Sequence, residues 1–140
     1  MDILHYLKIP YKPQGRSFAE GLDCWGLVMK FYQDHYNVEL PGHPIDPIDI
    51  KLVFAEFKTV SLYPVWVETQ KPELGDIVVA GRGKFFHHAG IYLGDAQKSI
   101  LHTHKDTGFA TTMPLFRFKQ QWPLVKFYNY DPRRASQKPI

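Results

Sequence analysis

A single cysteine stands in 140 residues, so no internal disulfide can form and folding need not depend on an oxidising compartment. No stretch approaches the roughly 20 apolar residues that span a bilayer, which excludes a helical membrane anchor within the sequence. Met1-Asp2-Ile3-Leu4-His5-Tyr6-Leu7-Lys8 lacks a basic segment followed by an apolar one, and a chain made without a secretion signal is expected. Charge of one sign is also scarce. A net charge of +3, with basic residues scattered except for Arg133, Arg134 and Lys138, suits an anionic polymer as partner but is too weak to argue for nucleic acid. Repeats and low-complexity tracts are missing as well. What is present is a 44% hydrophobic, 15% aromatic chain, enough for one folded domain with its own core.

The one cysteine falls in Gly21-Leu22-Asp23-Cys24-Trp25-Gly26-Leu27-Val28. From Cys24 the apolar residues recur at Leu27, Val28, Phe31 and Tyr32, the stripe of a helix burying one face. The spacing predicts a helix from Asp23 to about Tyr36, ending before Pro41-Gly42, with Asp23 as N-cap and Cys24 in the first turn. The free N–H groups and positive dipole end of that turn would favour a thiolate, which makes Cys24 a candidate nucleophile. A buried, inert cysteine is the competing reading.

Before this helix, two prolines and a glycine in Ile9-Pro10-Tyr11-Lys12-Pro13-Gln14-Gly15-Arg16 enforce a loop, preceded by a short helix or irregular lead. After it, Ile50, Val53, Phe54 and Phe57 predict a second amphipathic helix over Asp49 to Lys58. Beyond Leu74-Gly75-Asp76 the period changes. Strands are predicted at Ile77 to Ala80, Phe85 to Leu93, Ser99 to His104, Thr111 to Phe118 and Leu124 to Tyr130, separated by turns at Gly81 to Lys84, Gly94-Asp95, Asp106-Thr107-Gly108 and Trp122-Pro123. Helices first and then a meander of strands is the α+β pattern, with helices on one face of an antiparallel sheet. Residues 1–130 would form the domain, and 131–140 a flexible polar tail.

A base for Cys24 would come from these strands, where His87-His88 and His102/His104 are the candidates. Successive strand residues face opposite ways, so one of His87 and His88 faces the helix layer while His102 and His104 share a face. One histidine as base and one from the neighbouring strand as orienter would meet the needs of a thiol nucleophile.

Asp23-Cys24-Trp25-Gly26-Leu27-Val28, Leu74-Gly75-Asp76-Ile77-Val78, His88-Ala89-Gly90-Ile91-Tyr92-Leu93-Gly94 and Leu101-His102, in this order, resemble the NlpC-type papain-like cysteine peptidases of bacterial cell walls, over about residues 9 to 130. Among these the chain is most similar to the short members of tailed bacteriophages, which commonly carry tryptophan after the cysteine, as Trp25 does here. The resemblance implies a papain-like fold with N-terminal helices on a five- to six-stranded antiparallel sheet. Residue by residue, it implies Cys24 as nucleophile, His88 as general base, and His102 as the residue orienting His88, ahead of His104. Tyr11 would help line the oxyanion region, and Arg16, Asp23 and Trp25 would shape the substrate groove. The implied reaction is metal-free and cofactor-free hydrolysis of peptidoglycan stem peptides through an acyl-enzyme. The implied setting is a phage tail tip used in wall penetration, with other tail-tip proteins as partners. Three other readings are a structural tail plug with an occluded triad, a zinc site built from Cys24, His88, His102 and His104, and an amidase or acyltransferase using the same triad.

Overall fold

The computed structural model describes residues 3–40, 66–83 and 85–130. The helix expected over Asp49 to Lys58 and the tail from Asp131 lie outside these residues. In chain order the elements are β1 (Arg16–Ser17), β2 (Gly21–Leu22), α1 (Cys24–Tyr36), β3 (Trp66–Thr69), β4 (Ile77–Arg82), β5 (Phe85–Tyr92), β6 (Ile100–His102), β7 (Thr111–Met113), α2 (Leu115–Gln121) and β8 (Leu124–Tyr130).

The cysteine helix begins as its sequence predicts. Asp23 is the N-cap, its Oδ1 accepting the Gly26 N–H at 2.7 Å. The helix ends at Tyr36, as expected, because Asn37 adopts a left-handed conformation (φ 54, ψ 40). The Asn37 N–H donates to Gln33 O and the Val38 N–H to Tyr32 O, which satisfies carbonyls that the last turn leaves open. Its buried face of Trp25, Leu27, Val28, Phe31 and Tyr32 packs on Ile77, Val79, Ala89, Ile91 and Leu101 of the sheet.

That sheet has six strands among the described residues, in the order β3-β8-β4-β5-β6-β7, with every neighbouring pair antiparallel. The expected meander is therefore real for β4 to β7, but β8 returns across it to pair with the free side of β4. Leu74-Gly75-Asp76 builds the entry to β4. Gly75 holds φ +94, its carbonyl accepts the Tyr32 hydroxyl at 2.5 Å, and a Cβ there would collide with the Tyr36 hydroxyl. The buried Asp76 accepts the Glu73 N–H at 2.7 Å and the Asn129 side-chain amide at 2.8 Å, tying this corner to β8.

Two expectations require correction. Thr111 to Phe118 is not one strand: β7 stops at Met113, Pro114 follows in an extended conformation, and Leu115–Gln121 is helical. Leu115, Phe118 and Trp122 recur at helical spacing, which places Phe118 and Trp122 in the core and leaves Phe116 64% exposed. The sheet also carries helices on both faces. α1 covers the face of Ile77, Val79 and Ile91, whereas Phe118 and Trp122 cover a second core with Val78, Ala80, Tyr92 and Ile100.

Candidate functional site

Cys24 sits in the first turn of α1, partly buried, with its sulfur beside the β5 backbone at Ala89. The backbone amides of Ala89 and of Trp25 lie close enough to lower the thiol pKa. They do not prevail. Burial, with the Asp23 carboxylate next, pushes the Cys24 thiol up to about 12 against those amides and the Arg16 guanidinium. The helix start contributes to a thiolate as expected, but burial outweighs it and the cap that builds the turn is an anion beside the sulfur. Asp23 is buried and paired with Arg16, whose Nη1 lies 2.6 Å from Asp23 Oδ1 and also donates to Gly15 O at 2.8 Å. The Gly15 carbonyl lies where a Cβ on Gly26 would stand, so Gly26 lets the preceding loop close over the helix start.

His88 is 1% exposed, and its Nε2 lies 3.0 Å from Nδ1 of the fully buried His102. Their rings are near perpendicular, at 79°. Both histidines project from the face of the sheet covered by Phe118 and Trp122, because His88 pairs with Ala80 and His102 follows Ile100 by two residues. Ala89 and Ile91 take the α1 face of β5, so plain alternation turns His88 to the side covered by the α2 segment. His87 is the extra residue of a bulge just before it, where Ala80 pairs with His88 and Gly81 with Phe86.

The histidine pair needs Gly90. A Cβ at that position would lie 2.7 Å from Ile100 Cγ2, 2.8 Å from Leu101 O and 3.2 Å from His102 Cβ. Absence of a side chain lets β6 lie close to β5 and brings His102 within bonding distance of His88.

Burial works against the charged form of His88, His102 and His104. His88 is driven well below the ordinary value by burial first, then by His102, His104, His87 and Arg82. Burial, reinforced by His104, takes His102 down to about 4. His104 lies just beyond β6 with its ring 5.2 Å from that of His88, and burial lowers it as well. Its Nδ1 accepts the Asp106 N–H at 3.1 Å, so it is anchored to its own turn, and the ring hydrogen-bonded to His88 is that of His102.

The remaining candidates divide. Tyr11 reaches the area through a backbone bridge to Leu22, two residues before Cys24, and its ring lies 6.5 Å from that of His104. Arg16 and Asp23 border Cys24 as the ion pair described above. Trp25 turns into the α1 core, a structural placement. Sequence reasoning missed the Ala89 amide, Gly90, and the pair Phe118 and Trp122. The spacing of Leu115, Phe118 and Trp122 after Pro114 carried a signal for the last two. Among the described residues no group of three or more His, Cys, Asp or Glu side chains is arranged to hold a metal ion, and no helix is long and apolar enough to cross a membrane.

The arrangement offers a thiol bordered by backbone amides and a neutral imidazole whose Nε2 is committed to a second imidazole. Nδ1 of His88 is left as the nitrogen able to move a proton. Comparison with known proteins agrees with this architecture. The structure is similar to the crystal structure of the NlpC/p60 domain of peptidoglycan hydrolase SagA, with a TM-score of 0.61 and 16% identity over 90% of each chain. A search of curated proteins gives no match. The model of the NlpC/P60 family matches residues 8–117, which contain α1, β5 and β6 with Cys24, His88 and His102, and the chain therefore belongs to the NlpC/P60 family.

Proposed function

We propose that this domain is a cysteine peptidase that hydrolyses stem peptides of peptidoglycan, with Cys24 as nucleophile, His88 as general base and His102 as the residue that orients His88. The observation that carries the reading is the 3.0 Å contact between His88 Nε2 and His102 Nδ1, which keeps Nδ1 of His88 for proton transfer. Family membership and the fold shared with a peptidoglycan hydrolase domain support the reaction class and the substrate.

The electrostatics favour one version of the mechanism. With the thiol near 12 and the imidazole well below 6.5, the resting pair is neutral, and at pH 7 only roughly one thiol in 10⁵ is ionised. The proton therefore passes from sulfur to Nδ1 as sulfur attacks the carbonyl, rather than beforehand. His102 accepts a hydrogen bond from the Nε2–H of His88 and stabilises the imidazolium that forms. Backbone amides at the α1 start, with the Tyr11 hydroxyl, serve the developing oxyanion, while Arg16 and Asp23 border the groove. His88 then returns its proton to the leaving amine and later activates the water that releases the acyl group. No metal or cofactor enters these steps.

The test compares the wild type with Cys24→Ala, His88→Ala and His102→Ala on purified peptidoglycan, with fragment release followed by mass spectrometry. Loss of release in the first two, with folded protein, is expected, and the fragment masses identify the bond. Release by Cys24→Ala would refute the nucleophile. The proposal extends to placement at a phage tail tip among other tail proteins, on the strength of Trp25 following the cysteine. Mass spectrometry of purified particles checks this: absence of the chain from virions would end it.

A further inference from the structure

A general base needs its ring held in one plane, turned to present one nitrogen, and kept uncharged until the reaction. The His102 bond directs Nε2 but leaves the ring free to swing about that direction. The plane is set from the far side of the sheet. Trp122 stacks on His88 at 4.4 Å with 25° between the rings, and Phe118 adds a second near-parallel face at 5.8 Å and 22°. Trp122 lies beyond residue 117, where the family match ends, so this contact belongs to the part of the chain that the family pattern does not describe.

Trp122 is itself held on several sides. Its backbone N–H donates to Phe118 O at 2.8 Å, the Arg82 guanidinium lies 5.1 Å from its ring, and Arg82 Nε donates to Gln121 O at 2.7 Å. The indole is fully buried, yet its Nε1 has no hydrogen-bond partner among the described residues. An orphaned buried donor is a cost to the fold, so a tryptophan used this way serves through the area and flatness of its rings.

We infer that Trp122 is a positioning residue: it fixes the plane of the His88 ring and seals the His88–His102 bond from water, so that Nδ1 alone is presented for proton transfer. Stack and hydrogen bond together leave the ring one orientation. A swing out of plane loses the stack, and a flip within the plane loses the bond to His102 in a setting where an unpaired polar atom is costly. The groups facing His88 are His102 from β6, His104 beyond it, His87 on its own strand and Arg82 on β4, with the two aromatic faces from the α2 segment. All the charged states among them oppose protonation, and burial opposes it most. Opening the roof would let water reach the ring and bring its protonation back toward the ordinary range near pH 6.5.

This inference rests on His88 acting as the base, and its test separates the two. Imidazole nitrogen NMR on labelled protein reads the tautomer and titration of His88 without substrate, and kcat/KM against pH on a stem peptide reads the same ring in catalysis. In the wild type we expect a single Nε2–H tautomer that stays uncharged well below pH 6.5. Trp122→Phe keeps a flat face and should retain both the tautomer and the acid limb. In Trp122→Leu, apolar but not flat, both tautomers should be populated. Its acid limb should rise by about half a pH unit or more, with kcat lowered on the order of tenfold and KM nearly unchanged. A wild-type His88 that titrates near 6.5, or a Trp122→Leu protein with one tautomer and an unmoved acid limb, overturns the inference. If Trp122→Leu does not fold, the wild-type and Trp122→Phe titrations decide it. A locked tautomer in a chain that cleaves no stem peptide would instead count against the peptidase reading alone.

Discussion

Replacing Gly90 by alanine should disable the site through one methyl group that touches neither the thiol nor a substrate. The new Cβ would stand 2.8 Å from Leu101 O and 2.7 Å from Ile100 Cγ2. Ordinary contact requires about 3.4 Å or more, so β6 must retreat by about 0.6 Å at a carbonyl that has no rotamer to change. If His102 moves with it, the 3.0 Å contact with His88 opens to about 3.6 Å, beyond hydrogen-bond range. Overpacking of this kind costs about 1–3 kcal/mol. Calorimetry should therefore show a Tm lowered by about 3–10 °C. Peptidoglycan release should fall about 10- to 100-fold, within the range attributed to a correctly oriented base. A Gly90→Ala protein with wild-type Tm and wild-type release would refute the idea that the absent side chain sets the histidine pair.

Other outcomes follow from the charges. Because His88 and His102 stay neutral in the folded protein below the pH at which they protonate when unfolded, the unfolded state takes up more protons as pH falls. Stability should drop from about pH 6.5 downward, by about 3 kcal/mol for His102 by pH 4, as read by urea unfolding at a series of pH values; a flat profile would contradict the burial of these rings. In His88→Ala, alkylation of Cys24 by iodoacetamide should accelerate about tenfold per pH unit from 7 to 10, and a plateau below pH 9 would show that burial does not dominate the thiol. Asp23→Asn keeps an oxygen for the Gly26 N–H but removes the charge beside the sulfur. Its alkylation curve should shift to lower pH, and an unmoved curve would show that the carboxylate is not felt.

The cysteine helix was legible because cap, stripe and nucleophile coincide within a dozen residues, and the strands at Ile77, Phe85 and Leu124 because β-branched and aromatic runs end in glycine turns. The segment after Thr111 was misread because Thr111 to Phe118 mixes β-formers with a hydrophobic pattern that suits either period, and only Trp122, outside the window, settles it as helical. The histidine face was open for a different reason. Alternation gives His87 and His88 opposite faces but does not say which face α1 covers, and only the packing of Ala89 and Ile91 against α1 settles it. β1, β2 and β3 are too short to show a period at all. Within the site, residue types pointed to Cys24 and to the pairs His87-His88 and His102/His104, and the family resemblance chose His88 and His102. The raised thiol was beyond reach, because it depends first on how deeply the helix start is enclosed, which no flanking residue announces.

The return of β8 into the sheet between β3 and β4 also dictates when a nascent chain can become complete. β4 to β7 are consecutive and can pair as they are synthesised, but β4 keeps an open edge, and β3 no neighbour, until residues 124–130 arrive. These late pairings join segments about 50 residues apart, the slow, long-loop kind. The roof over His88 is supplied by the same late stretch of chain. A domain assembled in this order fixes its His88 ring only after nearly all of its described sequence has been made.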